Sequence, residues 1–270
     1  MGNSLSDLTK RVILAVPAAA AVLWITWMGG LFFELLMAAI ALITIWEVHR
    51  LLKGAGRPGY LWLSVGFAAL IWSFHLLPKM TGYGITLLIL AVTLLSVLYS
   101  SAELSRRWVS TLFAGIYAPV GFLMMVHLRD LGAGMDGFWL TVTLFFMIWG
   151  NDVFAYFGGK KFGKHALAPN ISPKKTWEGF WFGFAGAAAG FLIVWLIAAP
   201  YPLEFWAIGP AVVIISTLGP LGDITASSLK RKAGVKDSSS LLPGHGGLFD
   251  RFDSMILSAP FLFFFFLFIL

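Results

Sequence analysis

Long apolar runs separated by short polar connections dominate this chain. They fall at roughly 12–29, 31–47, 60–77, 83–99, 108–127, 138–157, 177–199, 204–227 and 252–270. A helix needs about 20 apolar residues to cross a bilayer. The pattern therefore predicts an all-α polytopic integral membrane protein with about nine transmembrane helices, polar cytosolic loops and no soluble domain. The first run contains Pro17 and no persuasive cleavage site, so it reads as a retained span. The longest polar stretch is 227–253, SSLKRKAGVKDSSSLLPGHGGLFDRFD, held between the last two runs. Its centre, Pro243-Gly244-His245-Gly246-Gly247, cannot be helix interior, because proline removes a donor and glycine carries the largest ordering cost. A tight loop between two membrane helices, mixing acids and bases, has the layout of a phosphate and metal site.

Composition agrees with the pattern. Of 270 residues 59% are hydrophobic and 12% charged, and the mean hydropathy is +0.85. There is no cysteine, which excludes disulfide and thiolate chemistry. The net charge of +6 does not point to nucleic acid, because the positive charges follow the spans. Seventeen of the nineteen Lys and Arg fall on one side of a nine-span arrangement, leaving Lys79 and Arg129 on the other. The positive-inside rule then puts the N-terminus and the 158–176 and 228–251 loops in the cytosol, and the C-terminus outside. The expected location is the inner (cytoplasmic) membrane, with multiple passes. Two regions follow: 1–137 with spans one to five, and 138–270 with spans six to nine and the polar loop 227–253.

Ionisable groups within spans are costly and mark functional sites by default. Asp152, Asp223, Asp250 and Asp253 all lie toward the cytosolic ends of their predicted helices, so they could meet at one depth. Pro220 is expected to kink span eight beside Asp223. A lone Asp at a membrane edge is often only a cap or interface residue, and Glu34 and Glu47 read as interface residues of span two. In span seven, Gly179 and Gly183 are four apart, as are Gly186 and Gly190. That spacing suits close helix packing within the chain, with a homodimer contact as the sharper alternative.

A second polar loop occupies 158–176. Gly158 to Lys164 matches G-x-x-x-x-G-K, but His165 stands where a P-loop needs Ser or Thr, and a membrane helix precedes it instead of a strand. The match is treated as chance. Ser172 and Pro173 predict a helix start, with Lys174 and Lys175 in its first turn, where an anion would offset their clash with the helix dipole. The bland alternative is contact with lipid headgroups.

The run Ser227-x-x-Lys230-Arg231-x4-Lys236-Asp237-x-Ser239-x-x-Leu242-Pro243-Gly244-His245-Gly246-Gly247-Leu248-x-Asp250-Arg251-Phe252-Asp253 resembles the signature of the phosphatidate cytidylyltransferases, the CDP-diacylglycerol synthases. Asn151-Asp152 and Ser172-Pro173-Lys174-Lys175-Thr176-x-Glu178-Gly179 resemble that family too. The resemblance implies transfer of the cytidylyl group of CTP to phosphatidate in the inner leaflet, giving CDP-diacylglycerol and pyrophosphate. It also implies Mg2+, with a second cation left open. On that footing Asp223, Asp250, Asp152 and Lys236 are candidate catalytic residues. Candidate metal ligands are Asp223, Asp250, Asp152 and Asp253. Candidate substrate-binding residues are Lys174, Lys175, Ser227, Lys230, Arg231, Gly244, His245, Gly246, Gly247 and Arg251, with the glycine loop offering N–H groups to the triphosphate. A transporter is the competing class, though it would favour charges at mid-membrane with access from both sides. A related enzyme acting on another lipid is the third reading.

Overall fold

The computed structural model describes residues 7–76, 102–242, 244 and 246–270, leaving aside the side chains of 7–15, 74–76, 102 and 105. Eight α-helices carry these residues: α1 (Asp7–Met28), α2 (Gly30–Gly54), α3 (Leu61–Leu76), α4 (Ala102–Arg129), α5 (Asp136–Phe162), α6 (Trp177–Ile197), α7 (Ile208–Lys232) and α8 (Phe249–Ile269). Between α5 and α6 lies an antiparallel hairpin of β1 (Ala166–Ala168) and β2 (Ser172–Thr176), with Ala166 opposite Thr176. This is an all-α membrane architecture. Six described helices are long and apolar enough to span a bilayer: α2, α4 from Arg106, α5, α6, α7 with its preceding 3-10 turn, and α8. The apolar parts of α1 and α3, Val16–Met28 and Leu61–Ser73, are shorter, and the predicted span at 83–99 lies outside the described residues.

Large apolar side chains remain on the outside, including Trp62 at 82% and Phe268 at 87% exposure. Such a surface suits hydrocarbon and not water. Inside, Phe122, Phe145, Phe191, Phe249 and Met125 form part of one buried apolar cluster. With no solvent-driven hydrophobic effect between helices in lipid, close backbone approach carries more of the packing. The glycines supply it. A Cβ on Gly186 would stand 2.1 Å from the Gly150 carbonyl oxygen, and one on Gly190 would stand 2.3 Å from that of Phe146. The span-seven glycines therefore pack within the chain, against α5, as the blander of the two readings expected. Gly121 does the same for α4 on α8, against the Ile256 carbonyl.

Polar contacts fix the ends. His49 Nε2 lies 2.8 Å from Ser64 Oγ, and Ser64 Oγ donates to the Thr111 carbonyl at 2.8 Å, joining α2, α3 and α4. At the opposite end Arg129 Nε donates to the Thr26 carbonyl at 2.6 Å, tying α4 to α1.

One local expectation changes. Ser172-Pro173 does not start a helix: Lys174 and Lys175 lie on β2, and α6 begins at Trp177 with Thr176 as its cap, its Oγ1 accepting from Gly179 N at 3.1 Å. Pairing with β1 outweighs the Ser-Pro signal, and the clash with the helix dipole disappears. Glu178 then turns back to bind the hairpin, accepting from the N–H of Lys164 at 3.0 Å and meeting His165 Nδ1 at 2.6 Å. Helix α7 contains Pro220 within its span, one turn before Asp223.

If helix approach holds the bundle, Gly186→Ala should destabilise it by about 1–3 kcal/mol through overpacking. Gly209→Ala, where a Cβ meets nothing within 4 Å, should stay within about 0.5 kcal/mol of wild type. Thermal unfolding in detergent compares the two; equal melting points would contradict the packing account.

Candidate functional site

Near one end of the bundle the C-terminal halves of α2, α5 and α7, strand β2 and the N-terminus of α8 converge. Gly222 makes the first approach possible. A Cβ there would stand 2.4 Å from the Asp253 carbonyl oxygen, so α7 and α8 touch backbone to backbone beside Asp223 and Asp253. Gly183 of α6 does the same for α5, against the Asn151 side chain, whose Nδ2 donates to Ser216 Oγ at 3.1 Å.

Asp223 sits on α7 with its side chain one-third exposed. Its Oδ2 lies 2.6 Å from Lys175 Nζ, and its Oδ1 accepts from Ser227 Oγ at 3.1 Å, one helical turn on. Lys175 and Lys174 are neighbours on a strand and so point to opposite faces. Lys175 turns to Asp223, while Lys174 is exposed.

Asp250 is more enclosed. Its Oδ1 lies 2.6 Å from Lys230 Nζ, and the two side chains are only 3% and 10% exposed. Its Oδ2 accepts from Ser238 N at 2.8 Å, Ser238 Oγ at 2.9 Å and Gly247 N at 2.9 Å. Asp250 and Asp253, three residues apart on one helix face, both lie against α7. Asp152 is exposed on α5 and Asp253 is buried. Asp152, Asp223 and Asp253 lie within electrostatic reach of one another, with Lys175, Lys230 and Arg251 as opposing charges.

The signature loop is pinched where Leu242 and Gly246 exchange backbone hydrogen bonds of 2.9 and 3.1 Å. Gly244 and Gly246 have φ of 77° and 82°, a region that side chains disfavour, which accounts for glycine at both. His245 lies outside the described residues. Lys236 and Arg251 are exposed, as is Arg231, which donates to the Val235 carbonyl at 3.0 Å.

The N–H groups at the end of this loop face carboxylates of the protein itself. Gly247 N serves Asp250, while Leu248 N and Phe249 N serve Glu47 at 3.1 and 2.6 Å. Glu47 is therefore no interface residue. It is fully buried and also accepts from Ser238 Oγ at 3.1 Å and Ser239 Oγ at 2.5 Å. A charge this deep in an apolar bundle is tolerated only with full hydrogen bonding. An acid inside an apolar run was the available signal for Glu47, but its position near the run's end made it look like a membrane-edge residue.

Among the described residues, no three carboxylate or imidazole groups form a ready cage for a metal ion. Magnesium does not require one, since it usually takes one or two carboxylates plus substrate phosphates. The donor chemistry fits: Asp223 and Asp250 each hold a cationic ammonium at 2.6 Å.

Lys230→Met would leave the Asp250 charge enclosed without its cation. It should lower stability by about 3 kcal/mol, and Lys230→Met with Asp250→Asn should recover part of that. Thermal melts of the single and double variants test the pair, and an additive loss would contradict it.

A sequence model of the cytidylyltransferase family matches this chain over residues 9–269. The phosphatidate cytidylyltransferase of Brucella abortus biovar 1 (strain 9-941) is 36% identical over 263 residues, covering 97% of this chain and 94% of that protein. That of Bacillus subtilis (strain 168) is 33% identical over 272 residues, covering 96% and 97%. A third, from Pseudomonas aeruginosa PAO1, is 33% identical over 264 residues, covering 94% of each.

Proposed function

The chain belongs to the cytidylyltransferase family, and from that premise we propose that it transfers the cytidylyl group of CTP to phosphatidate, giving CDP-diacylglycerol and pyrophosphate. The observation that carries the reading is the pair of Lys–Asp contacts, Lys175–Asp223 and Lys230–Asp250, at one end of an apolar bundle. Anionic substrates need cations, a divalent ion needs carboxylates, and a lipid phosphate is found at a membrane boundary.

The reaction is a direct in-line displacement. A phosphate oxygen of phosphatidate forms a bond to the α-phosphorus of CTP. The bond from that phosphorus to the bridging oxygen breaks, and pyrophosphate leaves with the electron pair. Such transfers need positioning and charge neutralisation more than covalent help. Lys175 and Lys230 neutralise phosphate oxygens once released from their carboxylates, and Lys174, Lys236, Arg231 and Arg251 form the outer ring of positive charge. Ser227 orients Asp223 through its hydroxyl. Asp223 and Asp250 would hold Mg2+, with Asp152 and Asp253 in support and a second cation left open. Bound there, the ion would offset charge on the transferring phosphoryl group. The nucleotide enters from the cytosol and the lipid from the inner leaflet.

The proposed topology has nine spans in the inner membrane with the site facing the cytosol, a reading supported by the split of Lys and Arg between the two sides. The four C-terminal helices carry the reacting groups, and the N-terminal helices support them. Because the glycine face of α6 is occupied by α5, a homodimer would use another surface.

Purified protein should release pyrophosphate from CTP with phosphatidate and magnesium, far faster than from ATP or GTP. Asp223→Asn should lose on the order of 100-fold or more in kcat. Lys175→Ala should fall well below Lys174→Ala, because only Lys175 reaches the acid. Wild-type turnover that persists in strong chelator would remove magnesium from the scheme, and an unchanged Asp223→Asn rate would remove the site.

A reporter fused after Leu270 should be exposed outside the cell. A cytosolic signal would end the nine-span topology.

A further inference from the structure

The N-terminus of a helix attracts anions, because its first N–H groups have no partner within the helix and its dipole is positive there. At α8 that anion comes from the other half of the chain: Glu47 of α2 takes the N–H groups of Leu248 and Phe249. The oxygens divide the work evenly. Oε1 accepts one backbone N–H, from Leu248, and one hydroxyl, from Ser239; Oε2 accepts one backbone N–H, from Phe249, and one hydroxyl, from Ser238. The fit is tight, since a Cβ on Gly247 would stand 2.2 Å from Glu47 Oε1 and 2.1 Å from Ser238 Oγ.

Ser238 joins this carboxylate to the site. Its Oγ lies 3.1 Å from Glu47 Oε2 and 2.9 Å from Asp250 Oδ2, and its N–H also serves Asp250. A hydroxyl has one proton, so the two acids share a single donor. Asp250 in turn meets Lys230. A chain of contacts therefore runs from α2 through the loop to the Lys230–Asp250 pair.

We propose that Glu47 is a positioning residue for cytidylyl transfer: its carboxylate sets the signature loop and the start of α8, and through Ser238 it aims Asp250 and Lys230. The inference rests on the function proposed above. It requires a carboxylate and not merely a polar side chain. Glutamine has the same shape, but its NH2 donates. Whichever way the amide is turned, that NH2 faces a backbone N–H that cannot reverse, while a serine hydroxyl could rotate to accept. Glu47→Gln therefore unseats the loop at one point and leaves the packing volume intact.

The test compares wild type, Glu47→Gln and Ser239→Ala, all full length in detergent or bilayer nanodiscs, with rates normalised to folded protein. Wild-type turnover of CTP with phosphatidate is the control, and its failure would indict the functional reading and not this one. With that control positive, Glu47→Gln should lose roughly tenfold or more in kcat, with a smaller change in KM for CTP, because misaimed groups cost turnover before binding. Amide hydrogen exchange should rise at Leu248 and Phe249 and stay unchanged at the α5–α6 glycine contact, a local signature that general destabilisation would not give. If Glu47→Gln does not fold, Ser239→Ala carries the test. It removes one hydroxyl and should lower kcat severalfold, with any rise in exchange confined to the loop and the start of α8. A folded Glu47→Gln within twofold of wild type would overturn the proposal. So would a kcat loss accompanied by uniform exchange throughout the bundle, or a fully active Ser239→Ala where that variant carries the test.

Discussion

A carboxylate among apolar helices must be met by a donor or a cation at each oxygen, and the site is built around that requirement. Ionised side chains removed from water carry a penalty of several kcal/mol each unless well partnered. Three of the site's acids have such partners at both oxygens. Glu47 has two amides and two hydroxyls, Asp250 has an ammonium with a serine and a glycine, and Asp223 has an ammonium and a serine. Several of these partners lie far apart in sequence. Satisfying them pulls α2, β2, α7, the loop and α8 to one place, and the conformation of the loop follows from where its donors must point.

Backbone approach makes that convergence possible. Side chains between α7 and α8 would hold Asp223 away from Asp253, and Gly222 removes the obstacle. The same device along α5 and α6 sets Asp152 and the hairpin that carries Lys175. Glycine is costly in helix interiors in water. In a bundle that cannot rely on water to press its helices together, that cost is offset by contact and by the placement of polar groups.

Much of this was legible in the chain. Apolar runs gave the class and the course of the helices, since a bilayer fixes their length and water cannot cover their surface. Asp223, Asp250 and Lys230 stood out as charges beside apolar runs; Lys230 pairs with Asp250, and Asp223 pairs with Lys175. What was not legible depended on partners distant in sequence. Ser172-Pro173 carries a local helix signal, and only pairing with 166–168 makes a strand of it. That pairing also separates Lys174 from Lys175, which looked equivalent in sequence. Glu47 resembles any acid near a membrane edge until the residues some 190 to 200 positions on come to lie against it. The glycine loop resembles a phosphate cradle for a similar reason: sequence reveals free N–H groups, but not which anion takes them.

That last ambiguity bears on how the proposed reaction could begin. On the proposed reading, the amides of Gly247, Leu248 and Phe249, which serve Asp250 and Glu47, lend the loop rigidity. The adaptable partners are the two lysines. An ammonium on a flexible stem can leave a carboxylate for a phosphate oxygen at little geometric cost, whereas a backbone amide cannot turn. On the proposed reading, arrival of a cation at Asp223 or Asp250 and of a triphosphate beside Lys175 or Lys230 are coupled events. Each newcomer takes the partner that the other releases, and the net charge of the enclosed site changes little. On that reading the acids and bases stay neutralised throughout, and only side chains rearrange on binding. On the same reading the rigid part, fixed by Glu47 and the loop amides, holds the Lys230–Asp250 pair in place.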